Sequence, residues 1–232
     1  MIYVSSDLHG YSLEKFQRLL DKAGFGEDDY LFILGDVIDR GSDGIKILRW
    51  MMLQPNVQLI RGNHEDMLLG CDFLFGEVTD ESIANLSALE LNKYYHWKRN
   101  GANPTIEAMR ALSPEERADI IDYLREAPLY DAVSIGSRNF VLVHAGLGGF
   151  ERTKPLSEYS DFDLLWTRPS LSDIYSFDFI TVFGHTPTVH YSKHYMGRMI
   201  KTATWINIDT GASSGLSPML LRLDDLREFY ID

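Results

Sequence analysis

Short apolar runs rich in β-forming residues alternate with amphipathic helical patterns through the first 60 residues of the chain. The runs cover residues 2–6, 30–34 and 57–60. Helical spacing follows the N-cap residue Ser12 and returns from 42 to about 53. Strands linked through helices in this way form a largely parallel sheet with right-handed crossovers. In such sheets the binding residues collect beyond the carboxyl ends of the strands.

A mainly helical segment, residues 66–128, interrupts this pattern and contains a strong helix start at 113–116. From residue 129 the β pattern returns, first with a predicted hairpin whose turn is 136–138. We therefore predict an α/β fold in which two packed sheets form one sandwich flanked by helices, with the helical segment as an insert. A single domain, 1–232, is expected at this length. The later strand runs are 132–135, 139–143, 179–183, 205–208, 219–223 and 229–231.

Charge and cysteine content exclude several classes of protein. The net charge is −12, with 34 acidic and 22 basic residues, which argues against a general nucleic-acid binder. A small phosphorylated substrate is still possible, because a bound metal can outweigh the global field locally. Cys71 is the only cysteine, so no intrachain disulfide can form, which fits a reducing compartment. There is no apolar stretch of about 20 residues, and Met1 opens directly onto the first strand. A cytoplasmic protein without a membrane partner is expected.

Five short motifs carry polar residues of the kind that bind metals, and four of the five directly follow an apolar run that is interpreted as a strand. In Asp7-x-His9 the two side chains share a face if the first strand extends that far. Four of the seven histidines lie in these motifs, so a purely structural role would need four separately satisfied imidazoles. Three Asp/Asn and three His donors suit two cations such as Mn, Fe or Zn, with manganese preferred, and Asp36 is the best candidate to bridge them. Asp209 is interpreted as part of a structural turn near the site. The six candidate ligands are Asp7, His9, Asp36, Asn63, His144 and His185.

Other residues of the motifs have the chemistry to act on a phosphate ester. His64 follows Asn63 and could protonate a leaving oxygen, with Asp39 orienting it. Arg40 and Arg168 carry guanidinium groups, which bind phosphate through two parallel hydrogen bonds. Arg61 is expected to support the site through a salt bridge instead.

Taken in order, these motifs resemble those of the calcineurin-like metallophosphoesterases. The resemblance covers nearly the whole chain, and the Asp39-Arg40-Gly41 ending narrows it to the phosphoprotein phosphatase branch. The length is similar to that of bacterial and bacteriophage lambda-type serine/threonine protein phosphatases. Trp97, Asn100, Gly101 and Thr105 also resemble a pattern of bacterial members, although Ala102 replaces a glycine. The motifs are Asp7-x-His9, Gly35-Asp36-x-x-Asp39-Arg40-Gly41, Gly62-Asn63-His64-Glu65, His144-Ala145-Gly146 and Gly184-His185.

The resemblance implies a four-layer β-sandwich and a specific division of roles. One metal is held by Asp7, His9 and Asp36, and the second by Asp36 together with Asn63, His144 and His185. A hydroxide between the two metals attacks phosphorus directly, without a phosphoenzyme. His64, paired with Asp39, acts as the general acid, and Arg40 and Arg168 hold the phosphate.

Three functions are compatible with the motifs. The first is a phosphomonoesterase, most specifically a serine/threonine protein phosphatase acting on a phosphorylated protein or peptide. The second is a dinucleoside tetraphosphate hydrolase, which would use the same site on a small phosphorylated nucleotide. The third is a non-catalytic binding module, which is disfavoured because every ligand and the acid are present. The metal motifs do not separate the first two functions.

Overall fold

The computed structural model describes residues 1–76 and 86–231. The stretch 77–85 of the predicted insert, and residue 232 at the end of the predicted domain, lie outside the described residues. The predicted α/β architecture is confirmed, because helices flank two sheets of five strands each. No helix within these described ranges is long and apolar enough to cross a membrane.

The first sheet has the strand order β10-β9-β1-β2-β3. The predicted parallel sheet is confirmed only in part. Two of its four strand pairings are parallel, β1 with β2 and β2 with β3, whereas β9 runs antiparallel to both β1 and β10. The carboxyl ends of the three parallel strands therefore lie along one edge. The strands are β1 Ile2–Ser5, β2 Tyr30–Leu34, β3 Val57–Ile60, β9 Met219–Arg222 and β10 Arg227–Tyr230.

The second sheet has the order β4-β5-β6-β8-β7. The predicted hairpin joins β4 to β5, and β5, β6 and β8 are parallel to one another. The short edge strand β7 was not predicted, since it has only two residues and pairs antiparallel with β8. The strands are β4 Tyr130–Ile135, β5 Arg138–Val143, β6 Ile180–Phe183, β7 Ile200–Lys201 and β8 Trp205–Asn207.

Strand β2 shows why the two sheets pack as layers. It is apolar on both faces, as expected for a strand covered on each side. Phe32 and Leu34 enter the core between the sheets, where side chains of β5, β6 and β8 meet them. Leu31 and Ile33 point the other way, into a core shared with the helices. The outer face of the second sheet packs against α7 and the nearby turns.

The helices begin where the sequence places their caps. Ser12 accepts a hydrogen bond from the backbone of Lys15 at the start of α1, and Ser113 and Glu116 form the predicted capping box of α6. The described helices of the insert share the core of α1 and α2, so they form one layer on the first sheet. The helices are α1 Leu13–Ala23, α2 Gly44–Met52, α3 Asn63–Leu69, α4 Ala88–Arg99, α5 Asn103–Arg110, α6 Pro114–Glu126 and α7 Asp161–Leu165.

Candidate metal centre

All six predicted ligands converge at the carboxyl ends of parallel strands. Asp7 and His9 follow β1, Asp36 follows β2, and Asn63 opens α3 directly after β3. In the second sheet His144 follows β5, and His185 lies two residues beyond β6. All six are buried. The two sheets therefore present their donor atoms to one shared space.

The carboxylate of Asp36 lies between two groups of imidazoles. Its Oδ2 is 3.5 Å from Nε2 of His9 and 3.8 Å from Nε2 of His64. Its Oδ1 is 3.4 Å from Nε2 of His144. Two sets of donors, each able to hold one ion, share this carboxylate: His9, Asp36 and His64 form one, and Asp36, His144 and His185 form the other. Asp36 thus lies where a bridging ligand is required.

Asn63 faces His144 and His185, two donors of the second set, at hydrogen-bond distance. Oδ1 of Asn63 lies 2.9 Å from both Nε2 of His144 and Nδ1 of His185, and those two nitrogens are 3.2 Å apart. Nδ1 of His144 is 2.8 Å from the carbonyl of Leu34, so it carries the proton and Nε2 presents a lone pair. A single remaining proton cannot satisfy three mutually facing acceptors. A shared cation can, and these residues therefore fit a metal ion.

Asp7, which is predicted to share one ion with His9 and Asp36, shows the same need for positive charge. Oδ2 of Asp7 accepts a hydrogen bond from the backbone of His185, whereas its buried Oδ1 has no hydrogen-bond partner among the described residues. Burial, followed by the neighbouring carboxyl of Asp209, raises the pKa of Asp7 well above its usual value. Burial likewise raises the pKa of Asp36, and it raises that of Asp209 to about 7. Divalent ions would compensate these buried carboxylates.

The route by which Asp7 and His9 reach the site differs from the predicted strand alternation. Strand β1 ends at Ser5, and both residues lie in a loop with left-handed backbone, at φ 51° and 43°. The alternation argument was therefore wrong, although both residues reach the site. The loop packs so closely against the second sheet that a Cβ on Gly184 would lie 1.9 Å from Oδ2 of Asp7.

Glu65 organises the loop that carries Asp36. The residue belongs to one of the motifs, but this role was not predicted from the sequence. Its buried carboxylate accepts hydrogen bonds from the backbone N–H groups of Asp36 at 2.8 Å, Val37 at 2.9 Å and Gly62 at 3.0 Å. The side chain of Asp36 is held as well, because its Oδ1 accepts a hydrogen bond from the backbone N–H of His64 at 3.0 Å. The signal was available, because a glutamate at the N3 position of a helix is typical of a side chain that accepts from the N-cap backbone N–H.

His64 and Asp39 form the predicted pair. Nδ1 of His64 lies 2.6 Å from Oδ2 of Asp39, and both side chains are buried. Nη2 of Arg40 lies 3.2 Å from Nε2 of His64. Because arginine can only donate, Nε2 accepts and Nδ1 donates to Asp39, which makes the imidazole neutral. Burial and then the charge of Arg40 lower the pKa of His64 well below its usual value.

The two predicted phosphate-binding arginines lie exposed beside this pair and beside His185. Arg40 donates to the carbonyl of Asn100 at 3.4 Å, and Arg168 donates to Oγ1 of Thr186 at 3.2 Å. Neither forms an ion pair with the described residues, so their charges remain available to an anion. The prediction for Arg61 was wrong: within 1–76 and 86–231 it makes no salt bridge, and its Nε has no hydrogen-bond partner.

Asp209 is a turn residue, as predicted, but its position also affects the site. Its Oδ1 accepts a hydrogen bond from the backbone of Gly211 at 2.9 Å, which closes the turn. It follows β8, so it ends a parallel strand beside the ligands, and its carboxyl raises the pKa of Asp7. The rule that identified the ligands would also have predicted this placement.

Comparison with known proteins agrees with this geometry. Residues 1–206 match the family described as calcineurin-like phosphoesterase. The chain belongs to that family. The family match does not extend to the phosphoprotein phosphatase branch.

Several curated relatives are tetraphosphatases. The symmetrical bis(5'-nucleosyl)-tetraphosphatase of Buchnera aphidicola subsp. Acyrthosiphon pisum (strain 5A) is 41% identical over 69 residues, 29% of this chain and 25% of that protein. The symmetrical enzyme of Haemophilus ducreyi is 31% identical over 62% of this chain and 44% of its own length. The chain therefore spans less than half of these relatives. The asymmetrical bis(5'-nucleosyl)-tetraphosphatase PrpE of Halalkalibacterium halodurans is 26% identical over 96% of this chain and 90% of that protein.

Solved structures show the same fold at low sequence identity. A protein described as a candidate diadenosine tetraphosphatase has a TM-score of 0.65 at 16% identity, covering 98% of this chain and 90% of that one. A protein serine/threonine phosphatase from Saccharomyces cerevisiae has a TM-score of 0.56 at 17% identity, covering 100% of this chain and 80% of that one. At these identities the comparison concerns the fold alone.

Proposed function

We propose that this protein hydrolyses dinucleoside tetraphosphates at the metal centre, and that it cuts them unequally. The observation that supports the substrate is the alignment with the asymmetrical tetraphosphatase, which extends over 96% of this chain and 90% of the relative. The symmetrical relatives act on the same class of substrate but align over a smaller part of their length. The motifs alone favour a protein phosphatase first, whereas the named relatives favour the nucleotide.

The residues take the roles that the motifs predict. The ligands are Asp7, His9, Asp36, Asn63, His144 and His185, and manganese is the proposed ion. When bound, the two ions supply a nucleophile at neutral pH and offset the charge of the phosphate oxygens. The chain's own contribution is to hold these donors, three of them carboxylate or amide oxygens and three of them imidazole nitrogens, around a shared Asp36.

Binding and proton transfer fall to the remaining groups. Arg40 and Arg168 hold phosphate oxygens, because both guanidinium groups are exposed and neither pairs with a described carboxylate. Once a bound phosphate engages Arg40, His64 takes up a proton on Nε2 and gives it to the leaving oxygen. Asp39 accepts from Nδ1 and keeps the ring oriented. An anionic phosphate on Arg40 offsets the positive charge that lowers the pKa of His64.

A protein phosphatase of the lambda type remains the second candidate, and one observation favours it. The buried pair of His64 and Asp39 is built to protonate a leaving group. The alkoxide of a phosphoserine is a strong base and needs that proton, whereas the phosphate released from an anhydride is a weak base and needs it less. The acid is thus of greater use to a phosphomonoesterase.

A direct competition tests the proposal. The manganese-loaded protein is given diadenosine tetraphosphate or a phosphoserine peptide, and the products are separated by anion-exchange chromatography. We expect kcat/KM to be at least about tenfold higher for the nucleotide, about 1.4 kcal/mol in transition-state stabilisation. ATP and AMP should form in equal amounts. Two ADP molecules would contradict the unequal cut, and a higher kcat/KM for the peptide would overturn the nucleotide substrate.

A further inference from the structure

The carboxylate of Asp39 receives hydrogen bonds from two residues of the helical segment as well as from His64. Nε1 of Trp97, in α4, donates to Oδ2 at 2.7 Å. The hydroxyl of Thr105, in α5, donates to Oδ1 at 2.6 Å. Trp97 and Asp39 have no exposed surface, and Thr105 is 2% exposed, so no water competes for these contacts. Both carboxylate oxygens are therefore occupied by fixed donors.

Thr105 also fixes the main chain of Asp39. Its Oγ1 accepts a hydrogen bond from the backbone N–H of Asp39 at 2.9 Å while its own proton goes to Oδ1. Asp39 has a left-handed backbone, with φ at 71°, a conformation that a non-glycine residue keeps only when its surroundings hold it. Side chain and backbone are thus held by the same hydroxyl.

The arrangement determines where His64 can point. Oδ2 of Asp39 accepts from both Trp97 and Nδ1 of His64, at 2.7 and 2.6 Å. The indole is rigid and buried, so the position of Oδ2 is set by α4 and the imidazole must align with it. If the indole N–H were lost, Oδ2 could move and His64 could turn with it.

We propose that Trp97 and Thr105 are positioning residues for proton donation by His64, acting through Asp39. The inference rests on the proposed role of His64 as the acid. In the step concerned, an oxygen from water bonds to phosphorus as the P–O bond to the leaving group breaks. The electron pair of that bond stays on the leaving oxygen, which takes the proton that His64 acquired on Nε2 when the phosphate bound. The helical insert thereby contributes to catalysis although it holds none of the six ligands.

The test uses the basicity of the leaving group. Trp97→Phe and Thr105→Val each remove one donor to Asp39 and keep a side chain of similar shape. Thr105→Ser restores the hydroxyl. The matched control is Trp205→Phe, because Trp205 is equally buried and its Nε1 donates at 2.9 Å to the carbonyl of Asp173, far along the chain from Asp39.

Each variant, loaded with manganese, is assayed on phenyl phosphate and on p-nitrophenyl phosphate. Phenolate is the stronger base and depends on the acid. A general acid contributes roughly 10²–10⁴-fold, so a misplaced one should lower kcat on phenyl phosphate by about tenfold or more. We expect at most about a twofold loss on p-nitrophenyl phosphate, an unchanged KM and unchanged bound manganese. Thr105→Ser and Trp205→Phe should behave as the unmodified protein.

Several results would overturn the proposal. Equal losses on the two esters would indicate a general structural effect, and so would a Trp205→Phe variant as selective as Trp97→Phe. A Thr105→Ser variant as slow as Thr105→Val would show that the hydroxyl of Thr105 is not what positions Asp39. If His64→Asn showed no leaving-group selectivity, the acid itself would be wrongly assigned. None of these assays uses a nucleotide, so failure to cleave diadenosine tetraphosphate is a separate outcome.

Discussion

The two sheets contribute different chemistry to one metal centre. The first sheet supplies both carboxylates and the amide oxygen, whereas the second supplies only imidazoles. The loops of the first sheet carry left-handed residues at Asp7, His9 and Asp36. The second sheet takes its orientation from the first, since His144 donates to the carbonyl of Leu34 and the backbone of His185 donates to Asp7.

The two sheets therefore differ in how much negative charge they bring to the site. The buried carboxylates of the first sheet are costly without cations, and their loops are strained, so they depend on Glu65 for support. Imidazole, unlike an ionised carboxylate, has a neutral form that can remain buried without a counter-ion. We therefore expect substitutions on the first side to affect catalysis most.

The largest effect is expected from Asp36→Asn. The variant keeps the shape but removes the charge that two ions would share, and metal activation is worth several kcal/mol, so kcat should fall about 10³-fold. His185→Asn, on the other sheet, should cost less because only one set of donors loses a member. Steady-state rates with manganese measure kcat for both variants. A larger loss in His185→Asn than in Asp36→Asn would contradict the expected difference between the two sheets. The thermal melting temperature of the chelator-treated Asp36→Asn protein should not fall, because a buried carboxylate with a raised pKa is removed.

A smaller loss is expected from Glu65→Gln, which touches no proposed ligand side chain. Its amide would place N–H groups against the backbone donors of Asp36 and Gly62. Supporting residues of this kind typically change metal affinity or activity by about 10–100-fold. Titration of activity with manganese measures the shift. Glu116→Gln, which alters an exposed cap of α6, is the control. An unshifted titration would show that the Asp36 loop needs no such support.

The carboxyl and imidazole groups should also differ in their pH dependence. Asp209 has a folded pKa of about 7, above the unfolded value of about 3.9. It is protonated when folded, so its stabilising contribution is present below pH ~4 and is lost as the pH rises towards 7, by at most about 1.4 kcal/mol per pH unit. His185, with a pKa lowered to about 2, loses its contribution as the pH falls below ~6.5.

Urea denaturation of the chelator-treated protein between pH 4 and 7 measures the first of these effects. The free energy of unfolding of the unmodified protein, minus that of Asp209→Asn, should fall as the pH rises. A difference that stayed constant would mean that the carboxyl of Asp209 ionises in the folded protein as it does in the unfolded chain.

The smallest effect is expected at the exposed N-terminal cap of α6. Ser113→Ala removes the hydroxyl that accepts from the backbone of Glu116, which should lower the free energy of unfolding by about 1 kcal/mol. Activity should not change, since α6 holds no site residue. Chemical denaturation and the phosphatase assay together check this. A loss of activity in Ser113→Ala would link the insert's far end to the metal centre.

The fold was largely predictable because periodicity and caps are local signals. Strands β2 and β3, the cap at Ser12 and the capping box at Ser113 are where the sequence places them. The two-residue strand β7 was missed because its pairing depends on β8 and not on its own composition. The candidate ligands were predicted because each closely follows a strand run, which is a property that the chain order shows.

The support around the ligands was harder to predict because it depends on contacts across the sequence. Glu65 bonds to backbone N–H groups almost thirty residues away, and such bonds leave no side-chain pattern. The left-handed backbone at Asp7 and His9 also could not be predicted from the alternation of side chains along a strand. Six of the seven described non-glycine residues with positive φ lie at the site, so its local geometry departs from the regular structure that sequence rules describe: Asp7, His9, Asp36, Asp39, Arg40 and His185.

The two hydrogen bonds that join the sheets at the site have a consequence for synthesis. The carbonyl of Leu34 needs His144, and the carboxylate of Asp7 needs the backbone of His185, 178 positions later. As the chain leaves the ribosome, the early loops emerge with their carboxylates and strained backbones long before those partners exist. The nascent protein therefore acquires its complete set of candidate metal donors only after His185 has been made.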